Sequence, residues 1–246
     1  MRPQRLLLIE DDDTVRRFVL QAIEPLGLEV LACSQLEEAR RALAVTPFDL
    51  VFTDLELPDG SCLDLVNELL SGRFLSVPRV VVYSDGLYAA MRDHLQGLGV
   101  WRNLVKPSSL PEIESCAREA LGMVNWPEAP TVTPAANQTL RPHERLAIET
   151  HFDGDAAFYT SFKASCCAQF KNDVQMGDAA CVSVDAQGLR RVAHNLKSIL
   201  LTLGYADHSL CARALEQLAQ KEHWSAALEG WQDLKQRLTL SFSLQD

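Results

Sequence analysis

Short apolar runs alternate with amphipathic segments over the first 122 residues. Runs rich in leucine or β-branched residues predict five strands, at Leu6–Ile9, Leu28–Ala32, Asp49–Thr53, Arg79–Tyr83 and Trp101–Val105. Apolar positions at helical spacing predict five helices, over Thr14–Leu26, Leu36–Val45, Leu63–Leu70, Leu87–Leu98 and Leu110–Leu121. Strands that alternate with helices in this way indicate an α/β domain, in which a five-stranded, doubly wound parallel sheet is covered on both faces.

The last hundred residues have a different pattern, because apolar positions recur at helical spacing throughout. Four amphipathic stripes are predicted, around Phe158–Phe170, Asp185–Leu203, Leu210–Leu218 and Trp224–Leu238, with turns at Met176-Gly177-Asp178, Gly204-Tyr205 and Glu222-His223. Four such helices with short connections predict an antiparallel four-helix bundle. Residues 125–142 contain four prolines and predict an extended tether, so the chain divides into residues 1–124, 125–142 and 143–246.

Composition and charge narrow the classes of function. The chain has 246 residues, enough for two domains, and a formal net charge of −10 that is negative in both halves. Neither half offers the basic surface that nucleic-acid binding requires. No apolar run approaches the ~20 residues needed to cross a bilayer, and no signal segment precedes the first strand. We therefore expect a cytoplasmic protein without membrane insertion, whose seven scattered cysteines are reduced and mostly buried.

Chemically suggestive side chains follow four of the five predicted strands. They are the acidic run Glu10–Asp13, Asp54, Ser84 and Lys106. Each one alone has a structural explanation, as a helix cap, a turn residue or a solvated lysine. Together they would meet at one edge of the sheet, because the carboxyl ends of parallel strands share an edge. Converging carboxylates require a cation, and all-oxygen ligands suit Mg²⁺, so these residues could form a phosphoacceptor site.

Residues 4–122 resemble the receiver domain of two-component response regulators. The matching stretches are Leu7–Asp12, Asp54–Gly60, Val82–Ser84 and Lys106-Pro107. The resemblance implies a flavodoxin-like fold, with Asp54 as the phosphorylated residue. It also implies that Glu10 and Asp11 form the acidic pair for Mg²⁺ beside Asp54, chosen within the acidic run because Ile9 ends the apolar strand. Glu56 would supply its backbone carbonyl to the metal, and Ser84 and Lys106 would contact the phosphoryl group.

One position departs from the receiver pattern. Receivers usually carry an aromatic residue three positions before the lysine, which moves when the hydroxyl residue engages phosphate. This chain has Asn103 there, and its nearest aromatic residue is Trp101. The departure puts the usual aromatic output in question but leaves phosphate acceptance at Asp54 intact.

The predicted helix around His194 presents that histidine on the side opposite its apolar stripe. At 100° per residue, the positions that face away from His194 are Leu189, Val192, Leu196, Ile199, Leu200 and Leu203. We therefore predict an exposed imidazole. Arg190, Lys197, Ser198 and Leu201 lie on the same side and predict a surface on which a partner docks. An imidazole can act as a nucleophile near neutral pH.

The second half resembles the histidine-containing phosphotransfer domain, over residues 143–243. The motif that carries the resemblance is Ala193-His194-Asn195-Leu196-Lys197-Ser198, followed by Gly204. It implies that His194 is phosphorylated and that Lys197 is the matching cation. The family most often has glycine where this chain has Ser198, a residue still small enough for a receiver to approach closely.

The two resemblances predict a phosphorelay protein. A sensor histidine kinase, simple or hybrid, would load Asp54, and His194 would exchange phosphate with one or more receiver domains. No phosphate-binding loop or other nucleotide motif is found, so we expect no kinase activity, although the receiver could catalyse its own phosphorylation and dephosphorylation. Two alternatives remain open: phosphorylation of Asp54 gates access to His194 without transfer between them, or the chain sequesters partners without chemistry.

Overall fold

The computed structural model describes residues 3–85, 89–123 and 140–244. The chain forms two compact units, Met1–Pro130 and Thr131–Asp246. Most of the predicted linker lies outside the described residues, and Pro142, its last residue, instead opens a helix. Proline suits this first helical position because its missing N–H would have no partner inside the helix.

The first unit contains the predicted parallel sheet. Its strands are β1 (Arg5–Ile9), β2 (Glu29–Cys33), β3 (Leu50–Thr53), β6 (Arg79–Ser84) and β7 (Arg102–Val105), and between them β4 (Glu56–Leu57) and β5 (Gly60–Ser61) form a small antiparallel hairpin. The sheet order is β2-β1-β3-β6-β7 with every pair parallel, which is the flavodoxin-like order. The hairpin was not predicted from the sequence, because two-residue strands carry no readable periodicity.

Helices flank this sheet. They are α1 (Asp13–Ile23), α2 (Leu36–Val45), α3 (Leu63–Leu70), α4 (Ala89–Leu98) and α5 (Leu110–Ala120). Leu7 and Ile9 of β1 pack with α2, α3 and α4, whereas α1 and α5 contact each other. Because side chains alternate across a strand, covering both faces explains why the central strands β1, β3 and β6 are buried at nearly every position. The predicted first helix was too long, since Pro25 opens a separate 3₁₀ turn over Glu24–Leu26.

The second unit is helical. Its helices are α6 (Pro142–His151), α7 (Ala156–Ser183), α8 (Ala186–Thr202), α9 (Ala206–Gln220) and α10 (Trp224–Phe242). Helix α8 contacts α7 and α9, and α10 contacts α9 and α7. The predicted turns near Gly204 and Glu222 are confirmed. Helix α6 is an additional element, held by the buried Glu144, which accepts hydrogen bonds from Lys163 of α7 and the hydroxyl of Tyr205.

The predicted turn at Met176-Gly177-Asp178 is wrong, because α7 continues through it. Gly177 serves close packing instead: a Cβ atom there would lie 2.2–2.7 Å from three ring atoms of the fully buried Trp231. The indole Nε1 of Trp231 also donates to Asp178 at 2.9 Å. A glycine inside a helix costs only about 1 kcal/mol relative to alanine, and this contact with α10 offsets that cost.

The sequence also predicts reduced cysteines and the absence of membrane insertion. All seven cysteines are free thiols, four of them buried and three half-buried, as predicted. Among the described residues, no helix has both the length and the apolar character that a bilayer crossing demands.

The packing of Gly177 gives a testable prediction. Gly177→Ala should destabilise the helical unit by about 1–3 kcal/mol, because the added methyl overpacks the Trp231 ring. Gly230→Ala on α10 is the matched control, since its Cβ would meet Leu215 at an ordinary 3.7 Å. Urea unfolding followed by tryptophan fluorescence measures both variants. Equal stability of the two variants would contradict the close-packing role.

Candidate functional site

The parallel sheet carries four of the predicted site residues to one edge. Beyond the end of β1, the backbone N–H of Glu10 donates to Cys33. The N–H of Asp54 donates to Ile9 at 2.9 Å, and that of Lys106 donates to Ser84 at 3.1 Å. Each residue therefore continues the sheet hydrogen bonding by one position, which fixes its backbone before any side-chain interaction is made. The edge lies at the carboxyl ends of β1 and β3, where the strand order reverses.

Lys106 forms the electrostatic centre of this edge. Its Nζ donates to Oε2 of Glu10 and to Oδ2 of Asp54, both at 2.6 Å. The three side chains are 5%, 2% and 3% exposed, so the charges interact with little screening by water. Although burial opposes the effect, the Asp54 and Glu10 carboxylates hold the pKa of Lys106 well above its usual value.

Asp11 completes an acidic cluster whose negative charge exceeds the single positive charge of the Lys106 ammonium. Carboxylate oxygens of Glu10, Asp11 and Asp54 all lie within 4.8 Å of one another. Burial raises the pKa of Glu10 well above its ordinary value; Lys106 opposes this effect and the Asp54 charge adds to it. Burial and the Asp54 charge likewise raise the pKa of Asp11. Three carboxylate donors with excess negative charge fit a hard divalent cation such as Mg²⁺.

The neighbouring acidic residues have other partners. Asp12 caps α1, accepting hydrogen bonds from the backbone N–H groups of Thr14 and Val15 at 2.8 and 3.0 Å. Asp13 forms an ion pair with Arg16 in the first turn of that helix. The structure thus brings Glu10 and Asp11, rather than Asp12 or Asp13, into the cluster with Asp54.

The remaining predicted residues of this edge occupy the adjoining strands. Ser84 is the last residue of β6 and is 2% exposed. Glu56 begins β4 with an exposed side chain, and its backbone N–H lies 3.4 Å from Oδ1 of Asp54. Asn103 lies in β7, with its Oδ1 atom buried and without a hydrogen-bond partner among the described residues. Trp101 precedes β7 and packs against the guanidinium groups of Arg79 and Arg102.

On α8 of the helical unit, the predicted apolar stripe is buried, but His194 is not freely exposed. Its side chain retains 16% of its exposed area, and its Nε2 atom is buried. Nδ1 lies 2.7 Å from Oε1 of Glu216 on α9, and Nζ of Lys197 donates to the other carboxylate oxygen at 2.8 Å. Although burial opposes the effect, hydrogen bonds from His194 and Lys197 lower the pKa of Glu216 to about 2.

The predicted docking surface is therefore corrected in part. Leu201 is 38% exposed and Arg190 is half-buried, but Ser198 is only 5% exposed. The prediction from helical periodicity assumed that only the apolar side of α8 is packed. In the structure α9 also packs along α8, and the Ser209 hydroxyl donates to the Lys197 carbonyl at 2.7 Å. This second contact places Glu216 against His194, and Ser198 is buried on the same helix.

Glu216 is the residue that sequence reasoning missed at this position. It is a carboxylate set between Leu215 and Ala219, both buried in the packed face of α9. An acidic residue beside an apolar stripe indicates that its carboxylate has a hydrogen-bond or ion-pair partner in the folded protein. The identity of that partner depends on the register between α8 and α9, which periodicity within one helix does not specify.

Comparison with known proteins bears on the first unit. The family model for the response regulator receiver domain matches residues 6–118. Chemotaxis protein CheY1 of Helicobacter pylori is 32% identical over 106 residues, which cover 85% of CheY1 and 42% of this chain. The chain belongs to the response regulator receiver family. The receiver domain occupies its N-terminal half, and the edge built by Glu10, Asp11, Asp54 and Lys106 lies within it.

Longer proteins and solved structures are similar over the same receiver domain. Response regulator protein PilR of Pseudomonas aeruginosa is 32% identical over 131 residues, 52% of this chain and 28% of PilR. KdpE of Escherichia coli, a KDP operon transcriptional regulatory protein, is 29% identical over 116 residues, 47% of this chain and 50% of KdpE. The chain thus spans half or less of these two relatives. The HemR receiver domain of Leptospira biflexa is 25% identical with a TM-score of 0.45, covering 51% of this chain and 99% of that domain.

Removing the central ammonium of the receiver domain tests its electrostatic role. Lys106→Met should destabilise the domain by about 3 kcal/mol without divalent cations, because two buried carboxylates lose their counter-charge. Adding Asp54→Asn to that variant should recover part of the loss, because one negative charge is also removed. Hydrogen exchange of β1 and β3 amides in EDTA measures both effects. An unchanged exchange rate in Lys106→Met would contradict this role.

Glu216 gives a pH-dependent prediction. Its pKa is depressed from 4.5 to about 2, so the stability it contributes is present above pH 4.5 and is lost as the pH falls toward 2. Amide hydrogen exchange in α8 and α9 should therefore be slower in wild type than in Glu216→Gln at pH 5.5. This difference between the two proteins should shrink by pH 3. Glu229→Gln on α10 is the control. A difference independent of pH would show that Glu216 does not act through its charge.

Proposed function

We propose that the chain is a phosphorelay protein that accepts a phosphoryl group at Asp54 and carries one on His194. The observation that carries the first step is the contact of Lys106 with the buried carboxylates of Asp54 and Glu10, beside the half-buried Asp11, within a receiver domain. We take the helical unit to be a histidine-containing phosphotransfer domain with a four-helix bundle of α7–α10. The successive packing of these helices and the arrangement around His194 support this proposal.

Phosphorylation of Asp54 follows from the chemistry of its carboxylate. A carboxylate oxygen attacks the phosphorus of a phosphohistidine, the phosphorus–nitrogen bond breaks, and the leaving imidazole takes up a proton. Lys106 already places positive charge at the attacking group, and Ser84 would donate to a phosphoryl oxygen. Glu10, Asp11, Asp54 and the carbonyl of Glu56 would hold Mg²⁺. When bound, the metal neutralises charge on the transferring oxygens.

His194 would then exchange phosphate with a receiver domain. Because Nδ1 is engaged with Glu216, we assign Nε2 as the phosphorylated nitrogen. Glu216 holds the ring orientation, and Lys197 supplies a cation one helical turn from His194. Attack by Nε2 on an acyl phosphate breaks the phosphorus–oxygen bond and regenerates the carboxylate. The proposed partners are accordingly a sensor histidine kinase and receiver domains, and in this proposal the kinase, not this chain, supplies the ATP-binding core.

A second candidate function is favoured by the partial burial of His194. Because Nε2 is buried, phosphate exchange requires a change in access to the imidazole. Phosphorylation of Asp54 would control that access, with no phosphate passing between the two residues. This version makes the receiver domain a regulatory switch and the helical unit its output.

Radiolabel transfer tests the proposed function. With labelled acetyl phosphate and Mg²⁺, wild type should acquire alkali-labile label that Asp54→Asn abolishes and the exposed control Asp64→Asn retains. With a phosphorylated external receiver domain, acid-labile label should appear and be lost in His194→Gln but not in His208→Gln. Label unaffected by either substitution would contradict the proposal.

The same reactions separate the alternatives. If transfer at His194 changes when Asp54 carries beryllofluoride, yet no label moves between Asp54 and His194, the regulatory switch is supported. If neither residue is labelled although partners bind, the chain is a sequestering protein.

A further inference from the structure

The hairpin that follows Asp54 is anchored to the beginning of α2. Oδ1 of Asp59 accepts a hydrogen bond from the backbone N–H of Leu36 at 3.0 Å, and Oδ2 accepts one from Glu37 at 3.1 Å. Gln35, the residue that precedes the helix, makes no side-chain capping bond within the described part of the chain. The first amides of α2 are therefore capped by a residue more than twenty positions later in the sequence.

The other end of the hairpin contacts the phosphoacceptor. Oδ1 of Asp54 accepts from the backbone N–H of Leu55 at 2.5 Å and lies 3.4 Å from that of Glu56. The N–H of Cys62 donates to the Leu55 carbonyl at 2.9 Å and closes the hairpin. Only four residues, Leu55 to Pro58, thus separate Asp54 of the acidic cluster from Asp59, which caps α2.

The connection is short and closely packed. Gly60 has φ +140°, a conformation that L side chains rarely adopt, and a Cβ atom there would lie 3.6 Å from Leu36. The hairpin therefore approaches the first residue of α2 both by hydrogen bonding and by packing. Although slight burial opposes the effect, the two backbone N–H groups lower the pKa of Asp59, which keeps it charged at the helix amino end.

We propose that Asp59 is a positioning residue for the cation site of the receiver domain. By anchoring the hairpin to α2, it fixes the peptide of Glu56 in the place where its carbonyl serves as a metal ligand. This inference rests on the proposed function, because Glu56 is a ligand only there. Since coupling between two sites is reciprocal, cation binding should also strengthen the cap on α2.

Magnesium titration of the full chain measures the first half of this coupling. By calorimetry, Asp59→Ala should bind Mg²⁺ about threefold more weakly than wild type. Loss of a helix N-cap lowers the equilibrium constant for forming the helix start by a factor of this order or more. Asp59→Asn, which retains one acceptor oxygen, should fall between them. Asp64→Ala is the matched control, since it removes the same charge from an exposed position outside the hairpin and should bind like wild type.

Hydrogen exchange measures the reciprocal half without any phosphoryl chemistry. In wild type, Mg²⁺ should slow exchange of the Leu36 and Glu37 amides, and in Asp59→Ala this slowing should disappear. Wild-type Mg²⁺ binding with an unchanged affinity in Asp59→Ala, or slowing that persists in that variant, overturns the inference alone. A wild type that binds no Mg²⁺ overturns both the inference and the proposed metal site.

Discussion

The first half of the molecule depends on the contact of the buried Lys106 ammonium with two carboxylates. The ammonium lies 2.6 Å from carboxylates of Glu10 and Asp54, which come from the ends of two different strands. Burying one ammonium against several carboxylates leaves excess negative charge, and that excess makes the edge of the sheet suited to a cation. The side chains that meet at this edge are the ones to which we assign phosphoryl chemistry at Asp54.

Much of this half could be predicted from the sequence because each signal was local. Apolar runs ending at Ile9, Thr53 and Tyr83 located the strands to within a residue or two, and the rule that parallel strands share a carboxyl edge brought the site residues together. The β4–β5 hairpin and the Asp59 cap could not be predicted, since both depend on contacts between distant segments. Gly177 was misread because a glycine that admits Trp231 looks, in sequence, like one that ends a helix.

The helical half shows where periodicity reaches its limit. The stripe opposite His194 correctly identified the buried side of α8, yet the histidine side was taken as open to solvent. Packing of α9 along α8 adds Glu216 to that side, and Ser198 is buried rather than exposed. The periodicity of one helix shows which of its sides is apolar. It does not show which polar residues of a neighbouring helix pack against its other sides. The arrangement of His194, Glu216 and Lys197 is consequently a product of tertiary structure, and it gives the imidazole a defined orientation.

The proposed function requires first that Asp54 forms an acyl phosphate at the acidic edge of the receiver domain. Phosphorus NMR of the full chain with acetyl phosphate and Mg²⁺ tests it most directly, because the signal reports the bond that phosphorus makes. We expect an acyl-phosphate resonance that EDTA prevents and that Asp54→Asn abolishes. A spectrum without that resonance in wild type, or one in which it survives Asp54→Asn, would contradict the account.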